Sequence, residues 1–245
     1  MLLSCTGFSA NDIPLPPRLP KLVLLDRDGV INQDVGSPGV LQTSQLELTE
    51  GAATAIGDLR RAGCHIAIVT NQSCVGKGLI TETQLQNIHI KLNHILMEQD
   101  TDAKVDLENI LFCTSVKNKS KKPADDDERM KPNPGMIVEA CNLFSVEPRD
   151  CVLIGDTIRD LQAAMRGSIP TRILVETGYG RSIMKGRPCN RESCVELIDN
   201  NEYFERDILT EEGESENVSN PLPFYYTQSL RFAADWLLST THHPF

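Results

Sequence analysis

The chain has 245 residues, 40% of them hydrophobic, and carries a formal net charge of -10. This length suits one α/β domain of moderate size with short appendages, and the hydrophobic content is sufficient for a buried core. The negative charge argues against a protein that binds nucleic acid broadly, because such proteins present a basic surface to the phosphates.

The cysteines indicate a reducing compartment. Eight are scattered along the chain, and Cys64, Cys141 and Cys151 lie inside apolar runs, where reduced cysteine behaves as a small hydrophobic residue. We therefore expect a cytoplasmic protein without a disulfide framework. We also expect no membrane association, since no apolar run approaches transmembrane length and residues 1–17 lack the basic region of a secretory signal.

The chain begins with a proline-rich stretch, residues 1–20, that predicts an extended arm. From Lys21 onward, short apolar runs alternate with amphipathic segments, which predicts parallel strands joined by helices in right-handed crossovers. The predicted strands are residues 21–25, 65–70, 107–113, 151–156 and 171–177. The predicted helices are residues 50–62, ended by Gly63, 81–97, capped by Thr81, 134–144 and 157–166.

Two later segments interrupt this alternation. Residues 114–130 contain a lysine block and then an acidic block, which is typical of a solvated loop. Residues 207–220 are acidic and predict a mobile segment, whereas residues 229–238 predict an amphipathic helix that covers one edge of the core. We therefore divide the chain into the arm (1–20), a main α/β domain (21–182) and a C-terminal extension (183–245).

Polar residues with metal- or phosphate-binding side chains stand at the ends of the predicted strands and in the loops beside them. Ligands of parallel α/β sheets bind beyond the carboxyl ends of the strands, so we expect these side chains to converge. They are Asp26 and Asp28 after the first strand, Thr70 and Asn71 at the end of the second, Lys131 before the third helix, and Asp156 and Asp160 after the fourth strand.

The pair Asp26 and Asp28 needs a physical explanation, because two carboxylates at a strand end repel each other and are costly to desolvate. A divalent cation would remove this repulsion, and hard oxygen ligands suit Mg²⁺. A lysine ammonium and a threonine hydroxyl beside the cation would complete a phosphate site. Singly, each residue is also ordinary turn material, so it is their order and shared location that indicates function.

The order of the motifs resembles a known family. LLDRDGVIN, IVTNQS, MKPNPGM and IGDTIRD are similar to the four motifs of the haloacid dehalogenase superfamily of phosphatases. DRDGVIN, TNQS and KPNPG are closest to its branch of histidinol-phosphate and heptose-bisphosphate phosphatases. The resemblance covers residues 21–180 and implies an α/β fold with a three-layer Rossmann-like parallel sheet and helices on both faces. Residues 31–50 are too few for a large cap domain.

The resemblance also implies a reaction, namely magnesium-dependent hydrolysis of a phosphoric monoester through an aspartyl-phosphate intermediate. Asp26 would be the nucleophile and Asp28 the general acid and base. Thr70, Asn71 and Lys131 would bind the phosphoryl group.

The same resemblance implies the remaining site residues. Asp34 occupies the position of the family's substrate loop. The metal ligands would be Asp26, the backbone carbonyl of Asp28 and Asp156, with Asp160 supporting the ion or its waters.

Departures from the family pattern leave the substrate open. Relatives in this branch often carry a zinc loop of three cysteines and a histidine, but Cys113 is the only such residue in this stretch, so no structural zinc is expected. Met130 replaces the arginine that reads the substrate, with Arg129 and Lys77 as alternatives. We expect a small phosphorylated metabolite, either a sugar phosphate or a compound like histidinol phosphate, and a monomer or small homo-oligomer.

Two other interpretations remain open at this stage. Polynucleotide 3'-phosphatases also use an Asp-x-Asp strand end and a Thr-Asn-Gln motif, although the acidic balance of this chain argues against a nucleic-acid substrate. A non-catalytic binding or scaffold protein on the same fold is the second, and the intact motif residues argue against it.

Overall fold

The computed structural model of the protein describes residues 18–117, 127–189, 195–199 and 220–239. The strands are β1 (Leu22–Leu25), β2 (His65–Asn71), β3 (Ile110–Cys113), β4 (Cys151–Gly155), β5 (Thr171–Val175), β6 (Val195–Ile198) and β7 (Phe224–Thr227). The helices are α1 (Ala52–Arg61), α2 (Ser73–Gly76), α3 (Glu82–Gln99), α4 (Gly135–Phe144), α5 (Ile158–Arg166), α6 (Gly180–Ile183) and α7 (Leu230–Leu238).

Within the described ranges these strands form one seven-stranded sheet in the order β3-β2-β1-β4-β5-β7-β6. Strand β1 lies in the centre and pairs in parallel with β2 and β4. Of the strands described, only the edge strand β6 runs antiparallel, against β7. The mostly parallel α/β sheet predicted from the sequence is confirmed.

The alternating direction of the side chains along β1 explains why helices cover both faces of the sheet, which gives three layers. Val23 and Leu25 belong to a core cluster with residues of α1, α3 and α7. Leu22 and Leu24 point to the other face and pack with residues of α4 and α5. Because successive side chains of a strand point to opposite faces, an apolar run such as LVLL fits a sheet covered on both sides.

The predicted helix ends are present. Thr81 caps α3, with its hydroxyl accepting a hydrogen bond from the backbone of Gln84 while the Gln84 side chain accepts one from the backbone of Thr81. Such a reciprocal pair satisfies two backbone donors that a helix start otherwise leaves free. Gly63 follows the last turn of α1 with a φ of 95°, a conformation that glycine adopts without steric cost.

Two predicted strands are shorter in the structure by more than one residue. Residues Leu107–Asn109 form a 3-10 turn instead of the start of a strand, because the Ile110 N–H bonds to the Leu107 carbonyl and the Leu107 side chain is half exposed. Strand β5 ends at Val175, and the chain then turns through Gly178, whose φ is 62°. This turn brings the backbone of Gly178 close to the carboxylate of Asp156.

The C-terminal extension contributes to the same sheet. Strand β7 lies between β5 and β6, and neither β6 nor β7 was predicted. The predicted C-terminal helix is present as α7, and Arg231 in it forms an ion pair of 2.7 Å with Asp58 of α1. The division of the chain at residue 183 stays a prediction, with the sheet continuing across it.

Several predictions fall outside the described residues. They are the extended arm over residues 1–17, the lysine and acidic blocks over 118–126, and the acidic segment over 207–219. Among the described helices, none combines the length and apolar character that a membrane span requires.

Candidate active site

A cavity of about 130 Å³ lies at the carboxyl edge of the sheet, where β1, β2 and β4 end side by side. Strand pairing places these ends next to one another, as expected for a parallel α/β sheet. Seven of the eight predicted site residues line the cavity: Asp26, Asp28, Asp34, Thr70, Asn71, Lys131 and Asp156. The eighth, Asp160, is fully buried and contacts Lys131.

Lys131 is a buried cation that lines the cavity. Its Nζ lies 3.0 Å from Oδ1 of Asp26 and 2.5 Å from Oδ1 of Asp160, and it donates to the Val69 carbonyl at 2.8 Å. Burial by itself lowers the pKa of Lys131, but the carboxylates of Asp160 and Asp26 outweigh burial and raise it above its ordinary value. Lys131 therefore remains protonated and can face an anion.

Asn71 holds Lys131 in this position. Its side-chain Nδ2 donates to the Lys131 carbonyl at 2.9 Å, and its Oδ1 accepts from the Lys131 N–H at 3.0 Å, across 60 residues of sequence. Both polar atoms of the Asn71 side chain are thus engaged with backbone. The predicted contact of Asn71 with phosphate stays a prediction.

Asp26, Asp156 and Asp160 form a cluster whose carboxylate oxygens lie within 4.8 Å of one another. Burial, followed by the charge of Asp160, raises the pKa of Asp26 to about 7. Burial and the charges of Asp26 and Asp160 likewise raise the pKa of Asp156 well above its ordinary value. One ammonium group does not compensate three carboxylates, so this cluster of hard oxygen donors fits a divalent cation.

Glycines shape the wall around Asp156. A Cβ atom on Gly29 or Gly178 would collide with the Asp156 carboxylate. The N–H of Tyr179, directly after Gly178, donates to Asp156 Oδ2 at 3.0 Å. The turn after β5 therefore packs backbone against this carboxylate and fixes its orientation.

Both oxygens of Asp160 already have protein partners. Oδ1 contacts Lys131, and Oδ2 accepts from the N–H of Thr157 at 3.0 Å and from its hydroxyl at 2.6 Å. Asp160 thus caps α5 and anchors Lys131. Its predicted support of a metal stays a prediction, and these contacts favour an indirect role.

Asp28 is held by an arginine that the sequence analysis did not consider. The Arg27 guanidinium pairs with both oxygens of Asp28, and side-chain amides of Asn32 and Gln72 donate to it at 2.8 and 3.0 Å. Burial by itself raises the pKa of Asp28, but Arg27 and Asn32 more than offset burial and hold it below its ordinary value. The sequence signal for Arg27 was a charged side chain at the end of an apolar strand, as in LLDRDG.

The more exposed part of the described cavity lining, here called its mouth, includes the cations Lys77 and Arg159 together with Asp34 and Tyr179. Lys77 is one of the two predicted substitutes for the family's substrate-reading arginine. The other, Arg129, forms an ion pair with Glu139 at 3.1 Å and is not among the described residues that line the cavity. Arg159 was not among the predicted site residues. The sequence signal for it was its position directly before Asp160.

Cys113, the one predicted zinc-ligand candidate, is buried at the end of β3, and burial raises the pKa of its thiol. Residues 118–126 of the following loop lie outside the described part of the chain. The expectation of a zinc-free loop therefore stays a prediction.

Comparison with known proteins identifies similar chains. The family model for haloacid dehalogenase-like hydrolases matches residues 37–167. The D-glycero-beta-D-manno-heptose-1,7-bisphosphate 7-phosphatase of Haemophilus influenzae is 30% identical over 158 residues, covering 64% of this chain and 83% of its own. The enzyme of the same name from Neisseria meningitidis serogroup A is 34% identical over 165 residues, covering 67% of this chain and 81% of its own.

Two of the solved structures that resemble this chain are also heptose-bisphosphate phosphatases. The crystal structure of D,D-heptose 1,7-bisphosphate phosphatase from B. bronchiseptica, complexed with magnesium and phosphate, has a TM-score of 0.65 and 26% identity, covering 90% of this chain and 99% of that one. The corresponding enzyme from Burkholderia thailandensis has a TM-score of 0.55 at 22% identity, covering 91% and 99%, and supports the fold alone.

Proposed function

Because this chain belongs to the haloacid dehalogenase-like hydrolases and is a phosphatase acting on phosphoric monoesters, we propose that it dephosphorylates a small sugar phosphate through an aspartyl-phosphate on Asp26. The observation that carries this proposal is the buried cluster of Asp26, Asp156 and Asp160 with Lys131 at the carboxyl edge of the sheet.

In the first step, an oxygen of the Asp26 carboxylate attacks the phosphorus and the bond to the ester oxygen breaks. Asp28 gives a proton to the leaving alkoxide. In the free site Asp28 is ionised, since Arg27 lowers its pKa. The negative charge of an arriving phosphate raises that pKa and favours uptake of the proton that Asp28 then delivers.

In the second step, Asp28 takes a proton from water while the water oxygen attacks the phosphorus of the aspartyl-phosphate. Inorganic phosphate leaves and the Asp26 carboxylate is regenerated. Asp28 thus donates a proton in one step and accepts one in the next, so each turnover consumes only the ester and water.

Thr70 and Lys131 bind the phosphoryl oxygens, Lys131 with the N–H that contacts Asp26 before that carboxylate attacks the phosphorus. The ammonium of Lys131 is fixed by three protein contacts before substrate arrives, so little reorganisation is needed when charge develops on the phosphoryl group. The carboxylates of Asp26 and Asp156 with the backbone carbonyl of Asp28 would hold Mg²⁺, which supplies positive charge to the phosphoryl group when bound. Asp160 supports the site by holding Lys131.

The mouth of the cavity favours a substrate with a second anionic group. Lys77 and Arg159 line it, and they could contact a group some distance from the reacting phosphate. The relatives named above act on a heptose bisphosphate, which has such a group. Within the described residues, the segment between β1 and α1 contains one 3-10 turn, Thr43–Gln45, and no large cap that would enclose the substrate.

The proposal is tested with purified full-length protein and a panel of substrates in the presence of MgCl₂. The panel contains sugar mono- and bisphosphates, histidinol phosphate, nucleotides and a 3'-phosphorylated oligonucleotide, with phosphate release as the measurement. We expect sugar phosphates to be preferred and Asp26→Asn to lose activity by several orders of magnitude while staying folded. Preference for the oligonucleotide, or near-normal activity of Asp26→Asn, would contradict the proposal.

A further inference from the structure

A fully buried arginine stands between Asp26 and Asp28 in the sequence. Arg27 has an exposed fraction of 0% and is one of the largest completely buried side chains among the described residues. A buried guanidinium is costly to desolvate unless it is paired and its donors are satisfied. Its partners therefore indicate what the arginine is for.

The first partner is the carboxylate of Asp28. Nη2 of Arg27 lies 2.7 Å from Oδ2 and 2.9 Å from Oδ1, and Nε lies 3.3 Å from Oδ1. The planar guanidinium with several fixed donors restrains the plane of a carboxylate, which a lysine ammonium does not do. The contact thus fixes the direction of the Asp28 carboxylate as well as its charge.

The second partner is His89 on α3. Nη1 of Arg27 lies 3.4 Å from Nε2 of His89. Since a guanidinium can only donate, Nε2 must be the acceptor and the ring must be neutral with its proton on Nδ1. Burial, followed by the charge of Arg27, lowers the pKa of His89 to about 3, which agrees with a neutral ring.

His89 is itself fixed by packing. Its exposed fraction is 2%, and its ring lies 5.5 Å from the ring of Phe112 on β3, at an angle of 58°. A chain of contacts therefore runs from Phe112 through His89 and Arg27 to Asp28. It joins a helix on one face of the sheet to a carboxylate that lines the cavity.

We propose that Arg27 and His89 are positioning residues: His89 holds the guanidinium, and the guanidinium aims the Asp28 carboxylate at the leaving group. This inference rests on the proposed role of Asp28 as general acid. Neither Arg27 nor His89 is among the described residues that line the cavity, so we expect their effect to be confined to proton delivery by Asp28.

The test compares two substrates with different leaving groups. General-acid catalysis assists an alkoxide far more than a phenolate, so kcat/KM is measured on the best sugar phosphate and on p-nitrophenyl phosphate. His89→Leu removes the acceptor and should lower kcat/KM on the sugar phosphate about tenfold more than on the aryl phosphate. His89→Gln, whose amide oxygen can accept from Arg27, should recover most of that selective loss.

Two further variants keep the test decisive if His89→Leu does not fold. His89→Asn has the same amide as His89→Gln but a shorter reach, so it should show the selective loss that Gln avoids. Arg27→Lys keeps the positive charge and removes the planar group of donors, and it should lose activity selectively on the sugar phosphate, on the order of 10²-fold.

Asn93, one turn further along α3, supplies the matched control. Its side chain is buried and exchanges two hydrogen bonds with the backbone of Val105, at 2.6 and 2.9 Å. Asn93→Leu should therefore disturb the same helix without reaching Arg27. We expect it to lower activity on both substrates by the same factor.

Equal losses on both substrates for the His89 and Arg27 variants would overturn the positioning role while leaving the proposed function intact. Asp28→Asn tests the general-acid role of Asp28 separately from the positioning role of Arg27 and His89. It should show the largest selective loss of all the variants. If Asp28→Asn loses activity equally on both substrates, Asp28 is not the general acid, and the positioning role is refuted with it.

Discussion

At the scale of single residues, the site gathers more negative charge than its own cation compensates. Asp26, Asp156 and Asp160 share Lys131 as their buried cation, and burial together with the neighbouring carboxylates raises the pKa values of Asp26 and Asp156. A site that holds protons in place of a metal should respond to pH and to magnesium together.

The first prediction concerns this competition. Between the ordinary pKa of a carboxyl group and about 7, the folded metal-free protein holds a proton on Asp26 that the unfolded chain has lost. The contribution of this group to stability is therefore greatest at low pH and falls as the pH rises through that window. The proposed magnesium ion would bind the ionised carboxylates, so its stabilising effect should be larger at about pH 8 than at about pH 5.5.

The measurement is the Tm with and without MgCl₂ at both pH values. Asp156→Asn is the control, since it removes one ligand and should reduce the magnesium-induced shift at about pH 8. A shift of the same size at both pH values in the unsubstituted protein would contradict the competition.

The second prediction concerns substrate selection. Arg159 lines the mouth of the cavity, and a charged hydrogen bond contributes roughly 1.5–3 kcal/mol. Arg159→Ala should therefore raise KM for a sugar bisphosphate by about 10- to 100-fold and leave KM for the corresponding monophosphate nearly unchanged. Steady-state kinetics on the matched pair of substrates is the measurement.

Arg181→Ala provides the comparison for Arg159, because Arg181 is exposed, contacts Glu176 and lines a different groove. It should leave both KM values unchanged. If Arg159→Ala raises KM for the mono- and the bisphosphate by the same factor, the arginine contacts the reacting phosphate or acts through the fold, and not through a second anionic group.

At the scale of elements, the C-terminal helix α7 packs into the hydrophobic core. Trp236 has an exposed fraction of 5%, belongs to the cluster shared by β1, α1 and α3, and lies against the ring of Tyr225 with centroids 4.6 Å apart. The helix thus covers apolar surface that α1 and the sheet would otherwise present to water.

The third prediction follows from that packing. Trp236→Ala should lower the free energy of unfolding by about 3–5 kcal/mol, because it removes buried apolar surface and leaves a cavity. Urea denaturation followed by far-UV circular dichroism measures the loss. Leu197→Ala on the edge strand β6, whose side chain is 46% exposed, should change stability by only about 0.5 kcal/mol. Losses of similar size in both variants would show that α7 is not packed as described.

At the scale of the whole molecule, the sheet extends through the region that the sequence marked as an extension. Strand β7 pairs in parallel with β5 through Ile173, Leu174 and Val175, and β6 closes the edge. Removing these strands would leave β5 as an unprotected edge with its hydrogen-bonding groups exposed.

The fourth prediction is that a chain ending at residue 183 does not fold cooperatively. It would lose β6, β7 and α7, and with them the buried side chains of Phe224 and Tyr226. Urea unfolding and phosphatase activity, compared with the full-length chain, are the measurements. A truncated chain with the same unfolding midpoint and activity would instead support an independent domain that ends near residue 182.

The sequence by itself determined the fold class, the family and the positions of the strand-end residues. Strand and helix periods and helix caps depend on residues a few positions apart, and motif order depends only on the succession of short motifs along the chain, so both are visible in the sequence. The rule that parallel strands present their carboxyl ends at one edge then predicts that Asp26, Thr70 and Asp156 lie together.

Only the tertiary structure decided which partners those side chains have. The contacts of Asn71 with Lys131, of Arg27 with His89, and of Asp160 with Lys131 join residues far apart in sequence. The addition of β6 and β7 to the sheet is equally non-local. Such contacts depend on which elements become neighbours when the core is buried, and a local pattern carries no information about that choice.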